Sequence, residues 1–225
     1  MEMVIIMRIT IKTGKNPPMI VVCLIVVLLI LLFLSTTHLM PARETLAQWQ
    51  PEKRPGDMEK HNPTVASDIN KAATLKRSND LVVLGGSGGT RKDDPQHSYF
   101  SRGWSAEGQW WELSGISTMG IKRIELSFAV KGSNTGPKNF ALEYSTDGSE
   151  WHPLTNSNNA VVKYSIDADA RFQRQGPYRL NDGISDLECI YIRFINTDKE
   201  SVIGDITKSS GTSYITDISI TGVRN

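Results

Sequence analysis

The chain has 225 residues, and its 25 basic and 24 acidic side chains leave a formal net charge of +1. A balance this even produces no strong field of either sign, which excludes charge-driven binding of nucleic acid. The two cysteines, Cys23 and Cys189, lie in an apolar segment and in a strand-like segment, so a disulfide framework is excluded as well.

Residues 19–34 form an uncharged apolar run near the N-terminus. With its flanks included, the run reaches the roughly 20 residues that span a bilayer. Three basic residues precede it, namely Arg8, Lys12 and Lys15, and by the positive-inside rule they stay in the cytoplasm. We therefore expect a single-pass protein of the cell membrane whose residues after Leu39 lie outside.

A signal peptide is the alternative for this segment, because cleavage near Ala42 or Ala47 would release a secreted protein. The chain also has no Asn-x-Ser/Thr acceptor with x other than proline, and it has few cysteines. These absences are typical of a bacterial envelope protein.

Residues 40–77 have the composition of a polar linker, with balanced charges and four prolines: Pro41, Pro51, Pro55 and Pro63. Within it, four apolar residues recur at helical spacing and predict a short helix: Val65, Ile69, Ala72 and Leu75. The predicted boundaries are a cytoplasmic N-terminus (1–17), a transmembrane signal anchor (18–39), the linker (40–77) and an extracytoplasmic domain (78–225).

Beyond residue 78, apolar side chains alternate with polar ones at the period of β-strands. Two clear runs, 124–130 and 140–144, are separated by the turn 132–138, and we expect them to form an antiparallel pair with Phe128 and Leu142 in the core. About eight short strands bury one face each most economically when two sheets pack together. We predict an all-β fold, a two-sheet β-sandwich of the jelly-roll type.

Three segments carry a resemblance to a known family, namely residues 99–114, 120–151 and 214–223. They resemble the galactose-binding-like jelly-roll modules, similar to carbohydrate-binding modules, that occur beside secreted bacterial nucleases and hydrolases. The resemblance implies a two-sheet sandwich with an accessory, carbohydrate-directed binding role. A catalytic role is not carried over, because fold analogy is a weak basis for function.

The sequence offers no catalytic group that we would assign. Residues 85–89 match G-x-S-x-G, but no helix follows the serine as a nucleophile elbow requires. The four histidines are far apart, so no zinc site is predicted. We expect a protein that is not an enzyme and that needs no cofactor.

A structural calcium ion is the one metal that we consider, because related sandwiches often hold one. Asp217 is the candidate ligand, since it alternates with Ile218 and so faces away from the core. The alternative is that the aspartates occupy turns, where they bond their own backbone.

Aromatic residues give the candidate ligand site. Trp110 and Trp111 are neighbours, so on a strand they point to opposite faces and only one can enter the core. The other is either covered by a loop or is a platform for a sugar ring, together with Trp104, Tyr99 and Arg102. The loops 167–175 and 198–210 are the alternative location.

Two functions follow from these observations. The first is a membrane-anchored, non-catalytic binding module for envelope glycan or another saccharide. The alternative is a structural or protein-interaction domain of a cell-envelope assembly, in which strand edges and aromatic residues contact another envelope protein.

The topology gives the first testable prediction. Because Arg8, Lys12 and Lys15 precede the apolar run, protease added to intact spheroplasts should digest the domain. In untreated cells the domain should be recovered in the membrane fraction. A domain protected in spheroplasts contradicts the orientation, and an intact domain in the culture medium contradicts the anchor.

Overall fold

The computed structural model describes residues 42–51, 60–78, 81–83, 95–169 and 171–225. Within them the residues Arg43–Asn225 form one compact unit. Its strands are, in chain order, β1 (Arg43–Trp49), β2 (Lys60–His61), β3 (Val65–Ala66), β4 (Thr74–Arg77), β5 (Val82–Val83), β6 (Tyr99–Arg102), β7 (Trp110–Ile116), β8 (Ile121–Gly132), β9 (Asn139–Ser145), β10 (His152–Pro153), β11 (Lys163–Ser165), β12 (Gln173–Arg179), β13 (Ile190–Asn196) and β14 (Thr212–Arg224). Two short 3-10 helices, Asp68–Asn70 and Asp182–Ile184, lie in the connections.

The strands form two antiparallel sheets of seven strands each. Sheet A has the order β12-β8-β14-β1-β3, and sheet B has the order β10-β9-β13-β7-β4-β2. In sheet A the long strand β14 pairs with β8 on one side, and on the other side with β6 and then β1. In sheet B, β11 adds a second partner along the outer side of β9. The predicted all-β two-sheet sandwich is confirmed.

The core lies between the two sheets and follows the predicted alternation. The side chains of Ile124, Leu126, Phe128 and Val130 on β8 are all buried. Leu142 on β9 is fully buried, so the assignment of Phe128 and Leu142 to the core is confirmed.

The predicted pairing of these two strands is wrong. Strand β8 pairs with β12 and β14 in sheet A, whereas β9 pairs with β13, β10 and β11 in sheet B. Residues 133–138 therefore carry the chain from one sheet to the other. Both strands turn an apolar face inward, so their periodicity is the same whether they pair side by side or pack across the core.

The predicted linker over residues 40–77 is wrong for most of the part that is described. Strand β1 lies inside sheet A between β14 and β3, and Leu46 and Trp49 are fully buried. The Trp49 Nε1 donates a hydrogen bond to the His61 carbonyl at 3.0 Å, which connects β1 to β2 of sheet B. The domain therefore begins near Arg43 instead of residue 78.

The predicted short helix is also replaced by strands β3 and β4 and a single 3-10 turn. Val65 and Ile69 were expected on its apolar face, yet their side chains are 52% and 57% exposed, whereas Leu75 is 1% exposed in the core. The helical spacing therefore grouped residues whose side chains do not lie on a common face in the structure.

Several expectations fall on residues whose structure is not described. They are the cytoplasmic segment 1–17, the signal anchor 18–39, residues 40–41 and 52–59 of the predicted linker, and the glycine-rich segment 85–89. Among the residues that are described, no helix combines the length and apolar character needed to span a membrane.

The new domain boundary gives the second prediction. Trp49→Ala should lower the free energy of unfolding by about 3–5 kcal/mol, because it leaves a large cavity in the core. Phe128→Ala is the reference, with an expected loss of the same size. Denaturant unfolding of the full chain measures both free energies. A Trp49→Ala protein as stable as the parent would contradict the assignment of residues 43–49 to the domain.

Candidate functional site

Three of the predicted ligand-binding residues lie in the core, as was expected for one member of the Trp110–Trp111 pair, whereas the assignment of Tyr99 and Trp104 to an exposed platform is wrong. Tyr99, Trp104 and Trp111 are 3%, 0% and 2% exposed. The Trp104 ring lies 6.2 Å from the Trp111 ring and 5.6 Å from the Phe140 ring. Such packing leaves no ring face for a ligand.

The indole N–H groups of the two buried tryptophans find acceptors inside the protein. Trp104 Nε1 donates to the carbonyl and to Oγ of Ser101, each at 3.1 Å, and Trp111 Nε1 donates to Ser213 Oγ at 3.3 Å. Burial raises the pKa of the Tyr99 phenol to about 12, because the ionised form would lose its hydration. These residues stabilise the fold.

Arg102 is exposed, but it lies on β6 of sheet A, whereas Trp110 lies on β7 of sheet B. The structure therefore does not bring these two predicted site residues together.

Trp110 is the outward-facing member of the tryptophan pair. Its neighbour Trp111 enters the core, while Trp110 is half-buried on the outer face of sheet B, as strand alternation requires. It is also the one predicted aromatic ligand-binding residue that remains on a surface.

The Trp110 ring belongs to a stack of three side chains on the outer face of sheet B. The Arg193 guanidinium carbon lies 4.1 Å from the centre of the Trp110 ring and 3.7 Å from the centre of the Trp151 ring. We call Trp110, Arg193 and Trp151 the aromatic stack. A cation over an aromatic face is attracted by the ring quadrupole, so the stack holds its own members in place.

A tight turn after β9 brings Trp151 to this stack. The Asp147 carboxylate accepts hydrogen bonds from the backbone N–H groups of Ser149 and Glu150 at 2.8 and 2.9 Å. These bonds favour the ionised form and hold the pKa of Asp147 well below its usual range. Gly148 adopts a left-handed φ of 77°, which a side chain would disfavour.

Glu112 lies beside the stack and anchors it. Its side chain is only 6% exposed. Its Oε2 accepts a hydrogen bond from Arg193 Nε at 2.8 Å, and its Oε1 contacts Lys76 Nζ at 3.3 Å and accepts from Ser114 Oγ at 2.5 Å. A buried carboxylate needs partners of this kind, because desolvation is costly without them.

Sequence reasoning missed Arg193 and Trp151 as members of the site. A signal for Trp151 was present, since the Asp147-Gly148 turn precedes it. Arg193 stands at a polar position between the buried Ile192 and Phe194, so its outward direction was readable. The position of β13 between β7 and β9 could not be read from the sequence, because strand order is a tertiary property.

Asp217 lies on β14 at an irregularity of the ladder, with a left-handed φ of 48°. Its Oδ2 lies 3.5 Å from Arg174 Nη1, and burial raises its pKa although the arginine opposes this. No cluster of three or more His, Cys, Asp or Glu side chains suited to a metal occurs in the described part of the chain. The Arg174 guanidinium competes with a calcium ion for this carboxylate, and the calcium site at Asp217 stays a prediction.

A cavity of about 540 Å³ opens at the end of β8. It is lined by residues 131–135 together with Ala168, Asp169, Val202 and Ser210. These positions include both loops that the sequence offered as the alternative location. The lining combines Lys131 and short polar side chains with the apolar Ala168 and Val202, and contains no aromatic ring.

No known protein family and no curated protein matches the chain. Among solved structures, it is similar to the xylan-binding domain CBM22-1 of Paenibacillus barcinonensis Xyn10C, with a TM-score of 0.45, 12% identity, and coverage of 82% of this chain and 98% of that one. It is also similar to TmCBM61 in complex with β-1,4-galactotriose, with a TM-score of 0.37, 12% identity and coverage of 68% and 89%. A third is the N-terminal cellulose-binding domain of Cellulomonas fimi β-1,4-glucanase C, with a TM-score of 0.37, 8% identity and coverage of 61% and 88%.

The tryptophan pair gives the third prediction. Trp111→Ala should lower the free energy of unfolding by about 3–5 kcal/mol, because the ring is fully packed. Trp110→Ala should cost about 1 kcal/mol or less, since it removes a half-exposed ring and one cation–π contact. Thermal and denaturant unfolding of the two variants measure this asymmetry, and equal losses would place both rings in the core.

Proposed function

We propose that the domain is a non-catalytic saccharide-binding module and that its ligand lies on the outer face of sheet B. The observation that carries this proposal is the aromatic stack, in which two indole rings stay partly exposed on the outer face of sheet B. An indole offers a flat apolar face to the C–H side of a sugar ring, and few other surface groups do so. The fold also agrees with the accessory binding role that the family resemblance implies.

The surroundings of the stack suit a polar ligand. Arg193, Lys76 and the half-buried Tyr191 lie on the same face and supply hydrogen-bond donors beside the rings. A few convergent polar groups beside an apolar surface are the usual composition of a small-ligand site. Glu112 keeps Arg193 in place, so the surface is formed before the ligand arrives.

The proposal contains no catalytic step. Both oxygens of Glu112 accept contacts from neighbouring side chains, so this carboxylate is occupied instead of being poised to move a proton. Binding alone is what this arrangement supports.

We further propose that residues 18–39 anchor the domain to the cell membrane and display it outside. The charge pattern of the N-terminus supports this orientation, and a membrane location would place the module near envelope glycan.

A protein contact is the second candidate function, because two large apolar side chains are exposed in the β13–β14 connection. The side chains of Ile203 and Ile206 are 50% and 71% exposed, and the two residues lie close together in sequence. Exposed apolar groups that occur together mark contact surfaces more often than single ones do. A partner envelope protein would then bind the β13–β14 connection, which contains none of the residues of the aromatic stack.

The fourth prediction tests the proposed binding face. With the full chain in mild detergent on a glycan array, Trp110→Ala and Trp151→Ala should each weaken binding of the best ligand by about 30-fold, the effect of losing a hot-spot side chain worth roughly 2 kcal/mol. Tyr214→Ala is the matched control, because this half-buried aromatic residue lies on sheet A.

Unchanged binding by both tryptophan variants would contradict the choice of face. A stable partner in pull-downs without any glycan bound, and its loss in the Ile203→Ser/Ile206→Ser variant, would favour the protein-contact function.

A further inference from the structure

Five charged residues form one continuous row across sheet B. Lys60 lies opposite Lys76, Lys76 opposite Glu112, Glu112 opposite Arg193, and Arg193 opposite Glu143. Directly opposed residues of neighbouring strands point to the same face. The contacts of Glu112 with Lys76 and Arg193 agree with this, so the row lies on the outer face that carries the aromatic stack.

The exposed part of this row is cationic. Glu112 is 6% exposed and its charge is already matched by Lys76 and Arg193, whereas Lys76 is 40% exposed. Lys60 at the edge of the sheet is exposed too. From Lys60 to Arg193 the surface therefore presents three cations above one covered carboxylate.

Lys60 and Lys76 are a like-charged pair directly opposite one another. Such pairs destabilise a sheet through their mutual repulsion. An anion bound above both ammonium groups would remove this repulsion, so the surface favours an anionic ligand over a neutral one.

Arg193 has donors left for such a ligand. Its Nε is used by Glu112, while Nη1 and Nη2 donate to no acceptor in the described part of the protein. Two parallel N–H groups of a guanidinium match the two oxygens of a carboxylate. The two indole ring centres lie 4.1 and 3.7 Å from the guanidinium carbon, so the ligand reaches the free donors from the side that the rings leave open.

We infer that the ligand is an acidic oligosaccharide of the uronate class, whose sugar rings contact Trp110 and whose carboxylates contact Lys60, Lys76 and Arg193. Lys60 and Arg193 are three strands apart, about 14 Å at the usual strand spacing, which is longer than one sugar ring. Glu143 ends the cationic part of the row, because it repels a carboxylate placed beyond Arg193. This inference rests on the proposed saccharide-binding function.

The fifth prediction compares uronate oligosaccharides with their carboxyl-reduced counterparts, which have the same linkages and no charge. Calorimetry with the full chain in mild detergent should find a native oligogalacturonate or oligomannuronate bound at least tenfold more tightly than its reduced form. Raising the salt concentration from about 0.05 to 0.5 M should weaken the native form only, because screening acts on the charged contacts.

Lys60→Glu reverses one exposed charge of the row and should weaken uronate binding by roughly fivefold or more. It should not lower the free energy of unfolding, because it replaces the like-charged pair with Lys76 by an opposite-charged pair. Lys122→Glu is the matched control, since this exposed lysine lies on β8 of sheet A. The control should bind like the parent.

The outcomes separate this inference from the proposed function. Equal or tighter binding of the reduced forms, or binding of sulfated sugars alone, would overturn the uronate class and leave a saccharide-binding module. Equal losses in Lys60→Glu and Lys122→Glu would also overturn it, because the effect would then be general electrostatics. Binding of no saccharide at all would overturn both.

Discussion

Aromatic contact between the inner faces of the two sheets holds this domain together and also determines what its outer faces display. Phe128 of sheet A meets Phe194 of sheet B with ring centres 4.8 Å apart. Phe140 and Tyr164 stack in parallel at 5.0 Å in the same layer. Because Phe194 and Trp111 point inward, the strand pleat obliges Arg193, Trp110 and Glu112 to point outward. The candidate site is in this sense a consequence of the core.

Alternation along a strand was readable from the sequence, and the conclusions that used it alone are confirmed. Phe128, Leu142 and the split between Trp110 and Trp111 belong to this class. Trp104 was misassigned because it stands in the irregular segment between β6 and β7, where no periodicity indicates a face. Its burial depends on Trp111 and Phe140, which reach it from another part of the chain.

Strand β1 was missed for a related reason. Its sequence RETLAQW contains a shift in register between Thr45 and Ala47, so the inward residues Leu46, Ala47 and Trp49 do not follow a period of two. Its neighbours in sheet A are β14, near the end of the chain, and β3. A pairing over such a separation leaves no local mark, which is why composition suggested a linker.

The outer face of sheet A also carries aromatic residues, and its comparison with sheet B shows why the aromatic stack is the better site. There the centre of the Tyr214 ring lies 5.5 Å from that of Phe100 and 6.4 Å from that of Phe172. Lys131 Nζ lies 5.4 Å from the centre of the Tyr214 ring. Phe100 is 7% exposed and so offers no free ring, whereas Tyr214 and Phe172 stay half-buried, and the comparison with sheet B turns on the cation.

On sheet B the cation lies within stacking distance of both rings and is held by a buried carboxylate, so its orientation is determined before any ligand binds. Preorganised donors lose little entropy on binding, whereas the flexible ammonium group of Lys131 would have to be ordered by the ligand. The difference between the two faces therefore lies less in the number of aromatic rings than in Glu112, which makes Arg193 a rigid part of the surface. A ligand that uses this rigidity must offer paired acceptors, and that requirement selects an oxyanion over a single hydroxyl group.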